Sequence, residues 1–213
     1  MVGIISEPKS DYFFKQREER GLVREHFTQL ELYEKKYLGE YTDFPNCPTL
    51  LIQKEKINEA ATLDWALEKR ADVVFLFGTG ILGESWLSAY KERIINLHLG
   101  CSPRYRGAAT LFWPFVHDEL EYVGATIHLA EASVDGGPIL KIITPKIETN
   151  DNYYDINFKT IKGAIDRIGG VVANYLDGSL YVARQDKRDQ KYLYRKSDFN
   201  ANVLAKVLDR YGI

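Results

Sequence analysis

The polar residues with the types and spacing to act together are Asn96, His98, Thr126, His128 and Asp135. Asn96 and His98 sit two apart in the apolar run 94–99, so a strand carries both on one face. That run breaks at Gly100 and Pro103 into a basic loop ending at Gly107. A second apolar run over 124–130 carries Thr126 and His128 in the same way. Asp135 then falls in a glycine-flanked turn, Asp135-Gly136-Gly137. An amide, imidazoles and a carboxylate supply hydrogen-bond donation and proton transfer, and in open α/β sheets ligands gather at the carboxyl ends of strands. Alone, Asn-x-His is more often a satisfied polar pair, and Asp-Gly-Gly more often a plain turn. The information lies in the order of the whole set.

The elements that must position these residues follow from periodicity. A short strand is expected over 2–6 and helix over 11–38, divided at Gly21, with Val23, Phe27, Leu30 and Tyr37 on one stripe. A strand over 49–52 precedes a helix capped by Asn58 and running to about Arg70. The continuous apolar run 72–78 predicts a parallel strand buried on both faces. Gly78-Thr79-Gly80 then turns the chain towards a helix over 84–90 and the motif strand over 93–99. Pro114 requires the next helix to start near Trp113. Strands over 122–130 and 138–147 precede a long helix that starts after Thr149-Asn150-Asp151, turns Ile156, Ile161, Ile165, Ile168 and Val172 inward, and stops at Gly178. Segments 180–183 and 192–194 are expected to form a hairpin, with 184–196 a solvated loop. The alternation predicts an α/β layer sandwich with a mostly parallel sheet.

Composition narrows the classes. The 213 residues are 45% hydrophobic and 13% aromatic, enough for one compact, well-filled unit. A net charge of −2 with mixed signs argues against a nucleic-acid surface. Two cysteines, Cys47 and Cys101, lack metal-ligand spacing, and no metal site is expected. So few thiols make a reduced cytoplasm the default. Residues 2–5 are too short an apolar start for a signal peptide, and no run reaches membrane-spanning length.

The set Asn96-x-His98, Pro103 to Gly107, Gly124-x-Thr126-x-His128 and Asp135-x-Gly137 resembles the 10-formyltetrahydrofolate-dependent formyltransferase family. That family acts on glycinamide ribonucleotide, methionyl-tRNA or amino sugars. The resemblance is strong over 71–147. It implies a Rossmann-like three-layer α/β sandwich, the formyltransferase fold, with a catalytic domain over 1–180 and an extension over 181–213 packed on it. It implies Asn96, His98 and Asp135 as catalytic: an amide donor to the oxyanion, and a His–Asp pair for proton transfer, with the base unassigned between them. It implies a folate site at Phe77, Gly78, Gly80, Leu82, Val134 and Asp135. Arg104, Arg106 and Gly107 fall on the acceptor side, where an Arg fork matches phosphate. Thr126 and His128 fall behind Asp135 as support.

The chain departs from the family in two places. The common His-x-Ser-Leu-Leu-Pro reads His98-Leu99-Gly100-Cys101-Ser102-Pro103 here, which bears on the acceptor. Residues 2–8 resemble the family's second strand, so its first strand–helix unit and any glycine-rich phosphate loop are expected to be missing. The residues after Gly178 are too few for the tRNA enzymes' extra domain. The resemblance implies formyl transfer from 10-formyltetrahydrofolate to a small-molecule primary amine, and elimination leaves an amino-sugar nucleotide as the expected acceptor. Glycinamide ribonucleotide or another amine, hydrolysis of the folate, and a non-catalytic folate- or nucleotide-binding remnant are the alternatives. A homodimer is left open.

Overall fold

The computed structural model describes residues 1–8, 21–40, 45–53 and 55–212. The first helical piece expected before Gly21 lies outside them. The first half of the chain forms β1 (Ile4–Ser6), α1 (Leu22–Leu38), β2 (Thr49–Leu51), α2 (Ala60–Glu68), β3 (Val74–Phe77), α3 (Glu84–Ala89) and β4 (Ile94–His98). The second half forms β5 (Tyr105–Gly107), α4 (Trp113–Val116), β6 (Ala125–Leu129), β7 (Ile139–Ile143), α5 (Tyr153–Leu176), β8 (Tyr192–Tyr194) and α6 (Ala201–Tyr211).

The architecture is α/β and Rossmann-like. The central sheet has the order β3-β4-β6-β7. β3 runs parallel to β4, while β6 is antiparallel to both β4 and β7, so β6 alone is reversed. β1 and β2 form a separate parallel pair. Alternation along β4 divides the layers. Ile95 and Leu97 pack with Ile127, Leu129, Ala164 and Val171 under α5. Ile94 packs with Trp86, Tyr90, Leu82 and Ile57 on the α2–α3 side. Burying each such aliphatic side chain is worth roughly 1.5–3 kcal/mol. Asn96 and His98 share the face of Ile94 and emerge at the carboxyl end of β4.

Several expectations are corrected. β3 is an edge strand, and Phe75 and Phe77 are 42% and 50% exposed, so its apolar run does not mean burial on both faces. Asn58 does not cap α2. Its side chain accepts from the Gly83 N–H and donates to the Ile81 carbonyl, tying the turn after β3 to the Lys56–Asn58 turn. The late hairpin does not form: β8 pairs in parallel with β5, and Ala183 bridges to Ile139. The 184–196 segment is therefore anchored to the motif loop.

α5 is capped by Asn152, whose side chain accepts from the Tyr154 and Asp155 N–H groups. It ends before Gly178, at φ 75°. α6 has no counterpart among the sequence expectations. It is capped by Asn200 and buries Leu204 and Val207 against Phe112, Phe115, Tyr153 and Tyr154. Among the described residues no helix is long and apolar enough to cross a membrane.

Candidate active site

The antiparallel register of β4 and β6 sets Asn96 opposite His128 and His98 opposite Thr126. The Asn96 amide nitrogen lies 3.1 Å from His128 Nε2, and His128 Nδ1 lies 2.8 Å from the Leu129 carbonyl. The carbonyl requires the proton on Nδ1, so Nε2 accepts from Asn96. One Asn96 N–H is thereby fixed, and the other is left for a ligand in the cleft that Asn96 lines.

His98 is oriented in the same manner. Its Nε2 donates to the Tyr105 carbonyl at 3.1 Å, and its Nδ1 faces Asp135 Oδ1 at 3.3 Å. Asp135 sits at φ 50°, a left-handed conformation that Asp tolerates better than most residues. Its Oδ2 accepts from the Gly107 N–H at 3.2 Å, and Oδ1 lies 3.7 Å from His128. Burial pushes His98 below the ordinary imidazole value, against the opposing pull of the Asp135 carboxylate. Burial pushes Asp135 up, but the positive charge that the neighbouring His128 and His98 imidazoles carry when protonated, together with the Gly107 N–H, pulls its carboxyl below the usual range. A neutral His98 with its Nδ1 lone pair towards a carboxylate leaves that axis one proton short. The pair is thus built to accept a proton.

These groups open on a cleft of ≈ 510 Å³, a size suited to a small-molecule ligand. Phe77, Gly78 and Thr79 line one side, and Ala109 to Phe112 with His26, Phe27, Tyr153 and Phe199 line the other. Of the expected folate residues, Phe77, Gly78 and Asp135 reach the cleft. Gly80 is held at its N–H by Glu7 Oε2 at 2.8 Å, Leu82 is packed beside Trp86, and Val134 is exposed at the loop surface.

The expected acceptor arginines do not line the cleft. Arg104 forks onto Glu119 at 2.9 and 2.6 Å and lies over the Tyr122 ring. Arg106 is 4% exposed and donates to Gln185 and Gln190. Thr126 does not reach Asp135. Its Oγ1 accepts from the Ser102 N–H and donates to the Gly100 carbonyl, pinning the motif loop to β6. Cys101 is half-buried and burial pushes its thiol up, which disfavours the thiolate. Among the described residues no group of three or more His, Cys, Asp or Glu side chains is arranged to hold a metal ion.

The motif marks Gly107, which does line the cleft, though its N–H serves Asp135; other contributors carry no signal in the sequence: the Tyr105 carbonyl and the side chains of Glu7, Gln185 and Gln190. Each acts without a motif to mark it, and the side chains act across a long sequence separation.

Comparison with known proteins bears on the family and the fold. The methionyl-tRNA formyltransferase of Buchnera aphidicola subsp. Acyrthosiphon pisum (strain Tuc7) is 24% identical over 165 residues, which cover 75% of this chain and 52% of that protein. The chain thus spans about half the length of the curated relatives it matches. Among solved structures, the fold is similar to the formyltransferase PseJ from Anoxybacillus kamchatkensis, in complex with UDP-4,6-dideoxy-4-formamido-L-AltNAc and tetrahydrofolate. The TM-score is 0.63 at 18% identity, covering 99% of this chain and 94% of that one. It is also similar to phosphoribosylglycinamide formyltransferase from Anaplasma phagocytophilum, with a TM-score of 0.57, 16% identity, and 87% and 94% of the two chains covered. Residues 1–164 match the sequence profile described as formyl transferase, and the chain belongs to that family.

Proposed function

We propose that this chain transfers a formyl group from 10-formyltetrahydrofolate to a primary amine, and that the amine is carried by an amino-sugar nucleotide. The observation that carries the reaction is the convergence of Asn96, His98 and Asp135 on one end of the cleft, each with its orientation fixed. Family membership supports it. Support for the acceptor class is narrower: the fold matches PseJ over nearly the full length of both chains.

The residues fit the donor. The cleft is flanked by the exposed Phe77 ring and by Gly78, whose missing Cβ would meet nothing within 4 Å among the described residues, so backbone is open to a flat heterocycle. The folate supplies the formyl group. A neutral amine attacking that carbon makes an oxyanion, and the free N–H of Asn96 donates to it, a contribution of roughly 3–4 kcal/mol. The proton lost by the amine passes to the His98–Asp135 axis, directly or through water. His98 then holds Nε2–H on Tyr105 and Nδ1–H on Asp135, an imidazolium stabilised by the carboxylate. The same proton returns to the departing folate nitrogen as the C–N bond breaks, leaving the pair as it began. Arg104 and Arg106 are engaged elsewhere and make no acceptor contact in this reading. We read residues 1–180 and the 181–213 extension as one working unit.

The test is release of tetrahydrofolate from 10-formyltetrahydrofolate, followed by absorbance with a panel of amino-sugar nucleotides, glycinamide ribonucleotide and simple amines. Release dependent on an amino-sugar nucleotide is expected. Release dependent on another amine would overturn the acceptor assignment, and release with no amine would make the chain a hydrolase. Absence of turnover throughout would overturn the transferase reading.

A further inference from the structure

Gln185 lies beyond residue 164, where the match to the family ends. Its side-chain amide is used in both directions. Nε2 donates to the Asp135 carbonyl at 2.9 Å and to the Gly137 carbonyl at 2.6 Å. Its Oε1 accepts from Arg106 Nη2 at 2.8 Å, and Arg106 Nη1 continues to Gln190 Oε1 at 3.0 Å. Both glutamines therefore belong to the segment that β8 holds against β5.

The loop that Gln185 grips has little slack. Asp135 is at φ 50°, and a Cβ at Gly137 would sit 1.9 Å from the Leu129 carbonyl oxygen. At Gly136 it would sit 2.5 Å from Ser133 Oγ and 3.3 Å from Arg106 Nη1. A left-handed residue with two neighbouring carbonyls bonded to one amide is over-determined, and such conformations persist only under that condition. Among the described residues the buried Arg106 Nε has no hydrogen-bond partner, so the guanidinium depends on the two glutamines for its hydrogen bonds.

We propose that Gln185 is a positioning residue for the reaction. By clamping the backbone at Asp135 and Gly137 it aims the Asp135 carboxylate at His98 Nδ1 and the Gly107 N–H, so the segment after α5 completes the catalytic end of the cleft. This rests on the transferase reading for its kinetic consequence but not for its structural one.

Gln185→Glu is the discriminating variant. It keeps the length and an acceptor for Arg106 while removing both N–H donors to the loop. Amide exchange in a peptide covering 133–137 is expected to rise about tenfold with exchange elsewhere unchanged. The kcat for formyl transfer is expected to fall about 10- to 100-fold, the scale of a misplaced reacting group, with KM for the formyl donor held within about threefold. Gln185→Met, uncharged and similar in length, is expected to behave in the same way, and it decides the matter should the glutamate variant fail to fold. Unchanged loop exchange and unchanged kcat in the folded variants would overturn the proposal. So would a rise in exchange across the whole chain, which marks a general structural role. If the wild-type protein transfers no formyl group, the function proposed above fails, and the local exchange result still decides the role of Gln185.

Discussion

Asn96 and His128 are direct partners across the β4–β6 ladder, with the amide nitrogen 3.1 Å from the imidazole. The amide assigned to the oxyanion in the proposed reaction is thus held by a residue of the neighbouring strand and not by its own. Asn96→Ala is expected to lower kcat about 100- to 1000-fold, the loss of one preorganised donor. His128→Ala leaves the donor in place but unanchored, and a smaller loss of about tenfold is expected. In both, the dissociation constant of tetrahydrofolate, measured by fluorescence titration, should change little. Equal losses in the two variants would mean that His128 acts on the reacting atoms and not through Asn96.

In the proposed reaction Asp135 and His98 set the pH dependence. His98 accepts the proton only when neutral, and burial lowers its pKa from 6.5. A depressed base is ready above its folded pKa, so kcat is expected to be flat through neutrality and to fall on the acid side at a pH below 6.5. Asp135→Asn removes the carboxylate that pulls the imidazole up, so any residual activity should show an acid limb at still lower pH. Its kcat at neutral pH is expected to fall about 100- to 10,000-fold, the range of general acid–base catalysis. A limb moving to higher pH in that variant would contradict the pairing.

Much of this site is legible in the chain itself, because strand periodicity alone puts Asn96 with His98 and Thr126 with His128. What periodicity cannot give is which strand opposes which, and in which direction. The pairing Asn96–His128 and the diversion of Thr126 onto the Gly100–Ser102 loop both follow from β6 being reversed. Arg104 and Arg106 look like acceptor contacts in the sequence because their partners Glu119, Gln185 and Gln190 are distant along it. Proximity along the chain pairs β8 with the nearest strand-like segment, whereas its ladder with β5 is non-local. α6 does carry a signal, the Asn200 cap followed by Val203, Leu204, Val207 and Leu208 at helical spacing, which the strand–helix alternation of the motif region does not extend to.

Gly100 stands where the family commonly has Ser, and the structure gives the local reason. A Cβ there would lie 2.4 Å from His98 Nε2 and 2.6 Å from Thr110 Cβ and Oγ1. Thr110 fills the space, and its hydroxyl donates to the Leu99 carbonyl at 2.5 Å. Gly100→Ala must displace both His98 and Thr110, and a fall in kcat of about tenfold or more is expected. Adding Thr110→Gly removes the Thr110 contacts and leaves the one with His98 Nε2, so it should recover only a minor part of the loss. Wild-type rates in Gly100→Ala would show that the His98 ring has room that the structure does not provide.

His26 links the fold to acid stability. The imidazole is 3% exposed among Phe27, Tyr153, Tyr154 and Phe199, with Nδ1 3.1 Å from the Tyr154 hydroxyl. Burial pushes its pKa down to about 4 from 6.5. Between those values the unfolded chain binds a proton that the folded chain does not, so stability is complete above 6.5 and is lost as pH falls towards 4. The shift corresponds to roughly 3 kcal/mol, at about 1.4 kcal/mol per pH unit. The carboxylates held low in the fold, Glu119 among them, add their losses at lower pH. Thermal melts between pH 7 and pH 4 should therefore show a falling midpoint in the wild type. In His26→Phe the slope above about pH 5 should flatten, even though the variant starts less stable by roughly 1–3 kcal/mol because Tyr154 loses its partner. An unchanged slope would place the titrating group elsewhere.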